Sequence, residues 1–240
     1  MNFKRFIGKC RRGLDVVTLK AHASYSQVGE DSAVSYLFES LNLTNPTYLD
    51  IGTNNPIVGN NTYLFYAKGC RGVCIEPDPE MFKRIKKKRP GDKILNVGIG
   101  VANNVTGASF YLFPGNVAAW STFSGEEARI REKESGLKPK MISIPLMNIN
   151  DVIAAHFDPY PNFISLDVEG IDLDILKSMD FRRFQPEVIC VETISFSITN
   201  SEKKLNDTIN FMHAQGYFTY ADTHVNTIFC KKELFKKSEK

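Results

Sequence analysis

The sequence predicts an α/β protein built on a Rossmann-like sheet, mostly parallel with an antiparallel last strand and with helices on both faces. Three observations carry this expectation. From about residue 47 onward, short apolar runs alternate with amphipathic stretches bounded by Gly and Pro, the pattern of successive βα units. Four of the five readable strand ends carry an acid, as the ligand-binding edge of such a sheet often does. The last two strand-like runs, "YFTYADT" and "NTIFCKK", are joined too tightly for a parallel crossover, so the final strand must run antiparallel.

The elements follow in order. "TYLDIG" reads as the first strand and "NNTYLFYAKG" as a helix stopped at Gly69. "RGVCIEPDP" is a second strand with a proline stop, and "EMFKRIKKKRPG" a short basic helix closed by Pro90 and Gly91. "KILNVGIG" is a third strand, "NFISLDVEG" a fourth, and "DLDILKSM" opens the helix after it. "EVICVET" is a fifth strand, and "EKKLNDTINFMHAQG" a helix ended by Gly216. The expected organisation is an N-terminal helical arm (1–46), a main domain (47–235) and a basic tail (236–240). An insertion at about 101–145 holds the strand-like "ASFYLF", a loop around "NVAAWST" and a charged helical piece. A loop of that length inside a domain usually serves function.

Bulk properties narrow the class. The chain has 240 residues, of which 42% are hydrophobic and 24% charged, enough for one well-filled globular domain. A net charge of +3 is too small to argue for nucleic acid. No run of about 18 apolar residues is present, so no transmembrane segment is expected, and no secretory signal follows the basic N-terminus. Five cysteines without a CxxC pair argue against a zinc knuckle and fit a reducing, cytoplasmic compartment. Cys190 sits in an apolar run, as a buried thiol does. Oligomeric state is not legible.

The strand ends point to a ligand. The first ends in Asp50-Ile51-Gly52-Thr53-Asn54, the second in Glu76-Pro77-Asp78, the third near Val97, the fourth in Asp167-Val168-Glu169-Gly170 and the fifth in Glu192-Thr193. The three glycines of a dinucleotide fingerprint are absent, which argues against a nicotinamide-dependent oxidoreductase. One glycine with acids suits S-adenosylmethionine, which is cationic and has no pyrophosphate. Glu76, ending the second strand, is placed to accept both ribose hydroxyls. Gly52 would let the backbone approach the ligand, and Asp50 would reach its amino end. "GNNTY" opens a helix at which Asn61 would meet a carboxylate.

"YSQVGED", "YLDIGTNNP", "GVCIEPDP", "FISLDVEGIDLDIL" and "PEVICVET" resemble, in order and spacing, the FkbM-family methyltransferases over roughly residues 24 to 230. The resemblance implies a class I methyltransferase sheet, S-adenosylmethionine as methyl donor, and O-methylation of a sugar or glycan precursor. It also implies that Gln27, Gly29 and Glu30 fold over the donor's methionine end. Asn54 and Pro56 stand where the usual first motif is glycine-rich, and Asn54, Pro77, Asp78, Val97 and Asp167 complete the expected donor contacts.

Methyl transfer to a hydroxyl needs a base or a metal, because an alcohol is a poor acid. Asp167 and Glu169, beside the expected methyl position, and His224, in the loop between the last two strands, are the candidate catalytic groups. Asp167 and Glu192 on adjacent strand ends are also a candidate pair for a divalent cation. Trp120 beside Ser121 and Thr122 would suit a sugar ring. His156, His213 and His22 carry no expected role. Two other readings remain open: a methyltransferase of another small-molecule or protein acceptor, and a non-catalytic binding module that keeps the fold.

Overall fold

The computed structural model describes residues 24–101, 105–168, 170–195 and 202–235. Its main body is a seven-stranded sheet. In chain order the strands are β1 (Tyr48–Ile51), β2 (Gly72–Ile75), β3 (Lys93–Leu95), β7 (Phe163–Leu166), β8 (Val188–Glu192), β9 (Tyr217–Asp222) and β10 (Asn226–Lys231), with β4 to β6 in a smaller sheet. The spatial order is β3-β2-β1-β7-β8-β10-β9. β10 is antiparallel to both β8 and β9, and the other pairings are parallel. The expected mostly parallel Rossmann-like sheet with an antiparallel last strand is therefore present. Chain order reverses between β1 and β7, which makes their carboxyl ends the switch point where such sheets open a crevice.

The central strands are buried on both faces, which explains why they read as unbroken apolar runs. One face carries Leu49, Ile51, Ile75, Ile164, Leu166, Ile189 and Val191. It packs against Ile149, Val152 and Ile153 of α5 (Ile149–His156), Ile175 and Leu176 of α6 (Asp172–Ser178), and Met212 of α7 (Asn206–Ala214). The opposite face carries Tyr48, Phe163, Val188, Cys190 and Ile228. It is covered by Val34, Leu37 and Phe38 of α1 (Glu30–Ser40) and by Phe65 of α2 (Tyr63–Ala67). Full burial of each of these large side chains contributes on the order of 1.5–3 kcal/mol. Cys70, Cys74, Cys190 and Cys230 are buried free thiols.

The third apolar run departs from the expectation of one strand. Only Lys93–Leu95 joins the main sheet; Gly98–Gly100 forms β4 in the second sheet, ordered β4-β6-β5. The break falls at Asn96, whose Nδ2 donates to the carbonyls of Glu76 (2.8 Å) and Pro77 (3.0 Å). Gly98 then admits the Phe123 ring, whose Cζ would lie 2.3 Å from a Cβ at that position. The segment expected as an insertion supplies β5 (Gly107–Leu112), a 3-10 turn (Gly115–Trp120) and α4 (Gly125–Ser135). A long strand not anticipated from sequence, β6 (Lys140–Asn148), pairs antiparallel with β5 and parallel with β4. Residues 1–23 of the expected arm, including His22, and the expected tail 236–240 lie outside the described residues.

A buried ionic cluster stands beneath the first strand. Arg89, at the end of α3 (Pro79–Lys88), has no exposed surface and lies 2.8 Å from Asp92 and 3.4 Å from Asp50. Asp92 also accepts hydrogen bonds from the Tyr48 hydroxyl (2.8 Å) and the Gly72 N–H (3.0 Å). A Cβ at residue 72 would stand 2.2 Å from the Tyr48 carbonyl and 2.3 Å from its ring. Gly72→Ala is therefore expected to destabilise the fold by about 1–3 kcal/mol, as forced overpacking does. A urea melt checks this, and an unchanged midpoint would contradict the packing described.

Candidate active site

The β1 strand ends because Gly52 takes a left-handed turn, φ +82°, beside the end of β7. A Cβ there would lie 1.8 Å from the Asp167 carbonyl oxygen, so only glycine can occupy the position. The glycine expected to admit a ligand is first of all demanded by the neighbouring strand. The chain leaves Gly52 through Thr53 and then Asn54, which also has positive φ, +48°. Asparagine is one of the few non-glycine residues that enter this region readily.

A crevice of about 180 Å³ opens above these strand ends. Gly52, Thr53 and Asn54 form its floor together with Glu76, Pro77 and Asp78 at the end of β2. Asp167 and Val168 after β7 and Glu192 at the end of β8 form a second wall. Val97, Gly98 and Ile99 close one end, where Phe110, Ser121 and Phe123 of the inserted segment lie against them. Phe110 and Phe123 sit 4.6 Å apart between ring centres. Gln27 and Val58 stand at the crevice as well, with Val58 71% exposed.

Glu76 is held on two sides in it. Its side chain is almost fully buried and accepts the Asn54 N–H at 2.6 Å and the Asp78 N–H at 2.8 Å. Burial pushes its carboxyl up to about 8 against the pull of those two donors. Asp78 also caps α3, accepting from the N–H groups of Glu80 (2.7 Å) and Met81 (3.4 Å). The turn after Asp167 is held by Asp172, a buried carboxylate that accepts the N–H groups of Val168 (3.1 Å) and Gly170 (3.3 Å). Burial raises the Asp172 carboxyl.

Of the residues singled out in the sequence, Gln27, Gly52, Asn54, Glu76, Pro77, Asp78, Val97, Asp167 and Glu192 come together in this crevice. Others are placed elsewhere. Asp50 is buried behind the floor, where its Oδ2 accepts Thr62 Oγ1 (2.5 Å) and Asn60 Nδ2 (3.2 Å) beside Arg89. Asn61 turns toward β7 and β8, donating to Ser165 Oγ at 3.1 Å. Gly29 caps α1 at φ +101°. Glu30 ties that helix to the far hairpin through Thr223 (2.7 Å) and Asn226 (3.1 Å). Burial works against the Glu30 charge, yet the Val28 N–H and these two side chains hold its carboxyl below the ordinary value. His224 is exposed in the β9–β10 turn with φ +75° and is not among the residues lining the crevice. Trp120 packs edge-on against Phe113 at 6.3 Å, and it is its neighbour Ser121 that reaches the crevice. Glu169 lies outside the described residues.

Sequence reasoning did not anticipate Val58, Met81, Phe110, Phe123, Ile171 or Ile175 at this site. Gly98, which makes room for Phe123, was the one local signal for the aromatic end. Among the described residues, no group of three or more His, Cys, Asp or Glu is arranged to hold a metal ion. Asp167 and Glu192, the pair expected to face a divalent cation, both line the crevice.

A family model described as the Methyltransferase FkbM domain matches residues 50–219. No curated protein sequence matches the chain. Similar solved structures include a TehB-like SAM-dependent methyltransferase from Corynebacterium glutamicum, at 10% identity over 96% of this chain and 100% of that one, TM-score 0.43. The precorrin-6y C5,15-methyltransferase of Geobacter metallireducens is 13% identical over 88% and 93%, TM-score 0.43. The magnesium protoporphyrin IX methyltransferase of Synechocystis PCC 6803, solved with bound SAM, is 10% identical over 83% and 76%, TM-score 0.42. The matched segment spans β1 to β9 and contains the strand ends that build the crevice, and by that match the chain belongs to the FkbM methyltransferase family.

Proposed function

We propose that the crevice binds S-adenosylmethionine and that the enzyme methylates a hydroxyl of a sugar or glycan precursor. The observation that carries the reading is Glu76, a buried carboxylate at the tip of β2 that is fixed by two backbone N–H groups and still lines the crevice. A carboxylate so placed accepts a vicinal pair of ribose hydroxyls. The apolar end formed by Val97, Ile99, Phe110 and Phe123 suits a purine ring. Asp167 and Glu192 lend negative potential to the wall across from it, where a cationic ligand is favoured.

When bound, S-adenosylmethionine supplies a methyl carbon made electrophilic by its sulfonium. The chain's own task is to hold an alcohol oxygen in line with that carbon and to remove its proton. Asp167 is assigned as the base. The hydroxyl proton would pass to the Asp167 carboxylate as the oxygen takes up the methyl group that the donor, when bound, would supply. The polar groups at the crevice, Gln27, Asn55 and Ser121, support a hydroxyl-rich acceptor. No step is routed through a metal.

Three outcomes test this reading. Ribose hydroxyls donate to the ionised form of Glu76, so donor binding should expel its proton. Affinity for S-adenosylhomocysteine is then expected to tighten as pH rises from 6 toward 8, by up to about tenfold per unit, and to level off above it. Glu76→Gln should weaken binding and flatten that profile in titration calorimetry; a profile unchanged by the substitution would remove the ribose assignment. Asp167→Asn should lower kcat by about 10²–10⁴ while S-adenosylhomocysteine binding stays within about threefold, as loss of a general base does. Full turnover in that variant would exclude the proton step. A panel of nucleotide sugars and oligosaccharides, compared with phenols and proteins, reads the acceptor through S-adenosylhomocysteine release. Methylation confined to the non-carbohydrate members would overturn the sugar.

A further inference from the structure

We infer that Arg89, outside the crevice and with no exposed surface, is a positioning residue that sets methyl-donor affinity by holding the 53–61 loop. The inference rests on the proposed donor site. That loop contributes Thr53, Asn54, Asn55, Val58 and Gly59 to the crevice and delivers the Asn54 N–H to Glu76. It contains no helix or strand, and two of its residues, Asn54 and Gly59, have positive φ. Asn55 Oδ1 holds its tip by accepting the Ile57 and Val58 N–H groups (3.0 Å each), the Asn60 N–H donates to the Tyr25 carbonyl (3.0 Å), and the loop's base is held by side chains outside it.

The hold on that base centres on one guanidinium. Arg89 Nη1 donates to Asn60 Oδ1 (3.2 Å) and to Asp50 Oδ2 (3.4 Å), and Nη2 donates to Thr62 Oγ1 (2.9 Å). Asn60 passes the restraint in both directions. Its Nδ2 donates to the Thr53 carbonyl (3.2 Å) at the loop's start, and its Oδ1 accepts the Thr62 and Tyr63 N–H groups at the loop's end. Arg89 Nε is meanwhile fixed by Asp92 (2.8 Å), and the guanidinium lies 5.3 Å from the Tyr48 ring centre and 5.4 Å from that of Tyr66. Four polar partners, Asp50, Asn60, Thr62 and Asp92, draw on the fork of arginine and exceed the three donors of an ammonium.

Arg89→Lys keeps the positive charge between Asp50 and Asp92 and discards the fork. In calorimetry with S-adenosylhomocysteine, run well below the melting temperature, Kd is expected to rise about tenfold at unchanged stoichiometry. The donor KM should rise in parallel, with the acceptor KM and the kcat at saturating donor within about twofold of the parent. A purely structural role gives the opposite pattern: fewer competent molecules, hence lower stoichiometry and kcat, with the parental Kd. That pattern, or parental values throughout, overturns the inference. If Arg89→Lys does not fold, Thr62→Val, nearly isosteric, decides: the same pattern at about threefold supports the inference, and parental Kd overturns it. Failure of the parent protein to bind S-adenosylhomocysteine would instead remove the donor site itself.

Discussion

The contact on which the site depends is the approach of two parallel strand ends, β1 and β7. The Asp167 carbonyl comes so near residue 52 that a Cβ there would overlap it at 1.8 Å. That proximity allows only glycine, and glycine allows the left-handed turn that sends the chain away from the sheet. The opening thus created lies at the switch point of the strand order, and the ends of β2 and β8 bring Glu76 and Glu192 to it. Packing between backbones, rather than accommodation of a ligand, is the first reason for the glycine. The ligand site is what that packing leaves open.

Two kinds of carboxylate divide the work around this opening. Asp50, Asp92, Asp172, Asp31 and Glu30 each accept hydrogen bonds from nearby donors, and they hold the chain in shape. Burying such a group is tolerable only when donors replace the water it loses. Glu76 belongs partly to this set, since two N–H groups orient it, yet it also faces the crevice. Burial raises its carboxyl to about 8, and hydroxyl donors of the proposed ligand would favour the ionised form. In the proposed donor site the same residue would join loop geometry to ligand recognition.

Much of this was legible in the sequence. Periodicity and Gly and Pro punctuation revealed the sheet, and the acids at strand ends pointed to the crevice, because a strand's last residue lies at its carboxyl edge whatever its neighbours are. What could not be read were contacts between distant segments. Asp50 and Glu76 look alike in sequence, each closing a strand before a turn. Asp50 lies inside the strand, paired across from Cys74, and turns inward to Thr62, Asn60 and Arg89, whereas Glu76 lies one residue beyond the last paired position, Ile75. Phe123 reaches Gly98 across the inserted segment, and β6 was missed because its burial alternates weakly and "IPL" contains a proline. His224 has the right chain position, but its exposed turn keeps it off the crevice lining.

The most direct test is a crystal structure of the protein with S-adenosylhomocysteine. The account predicts density in the crevice between Gly52 and Val97, with both ribose hydroxyls within about 3 Å of the Glu76 carboxylate. Density in another cavity, or a nucleoside whose ribose faces away from Glu76, would contradict it.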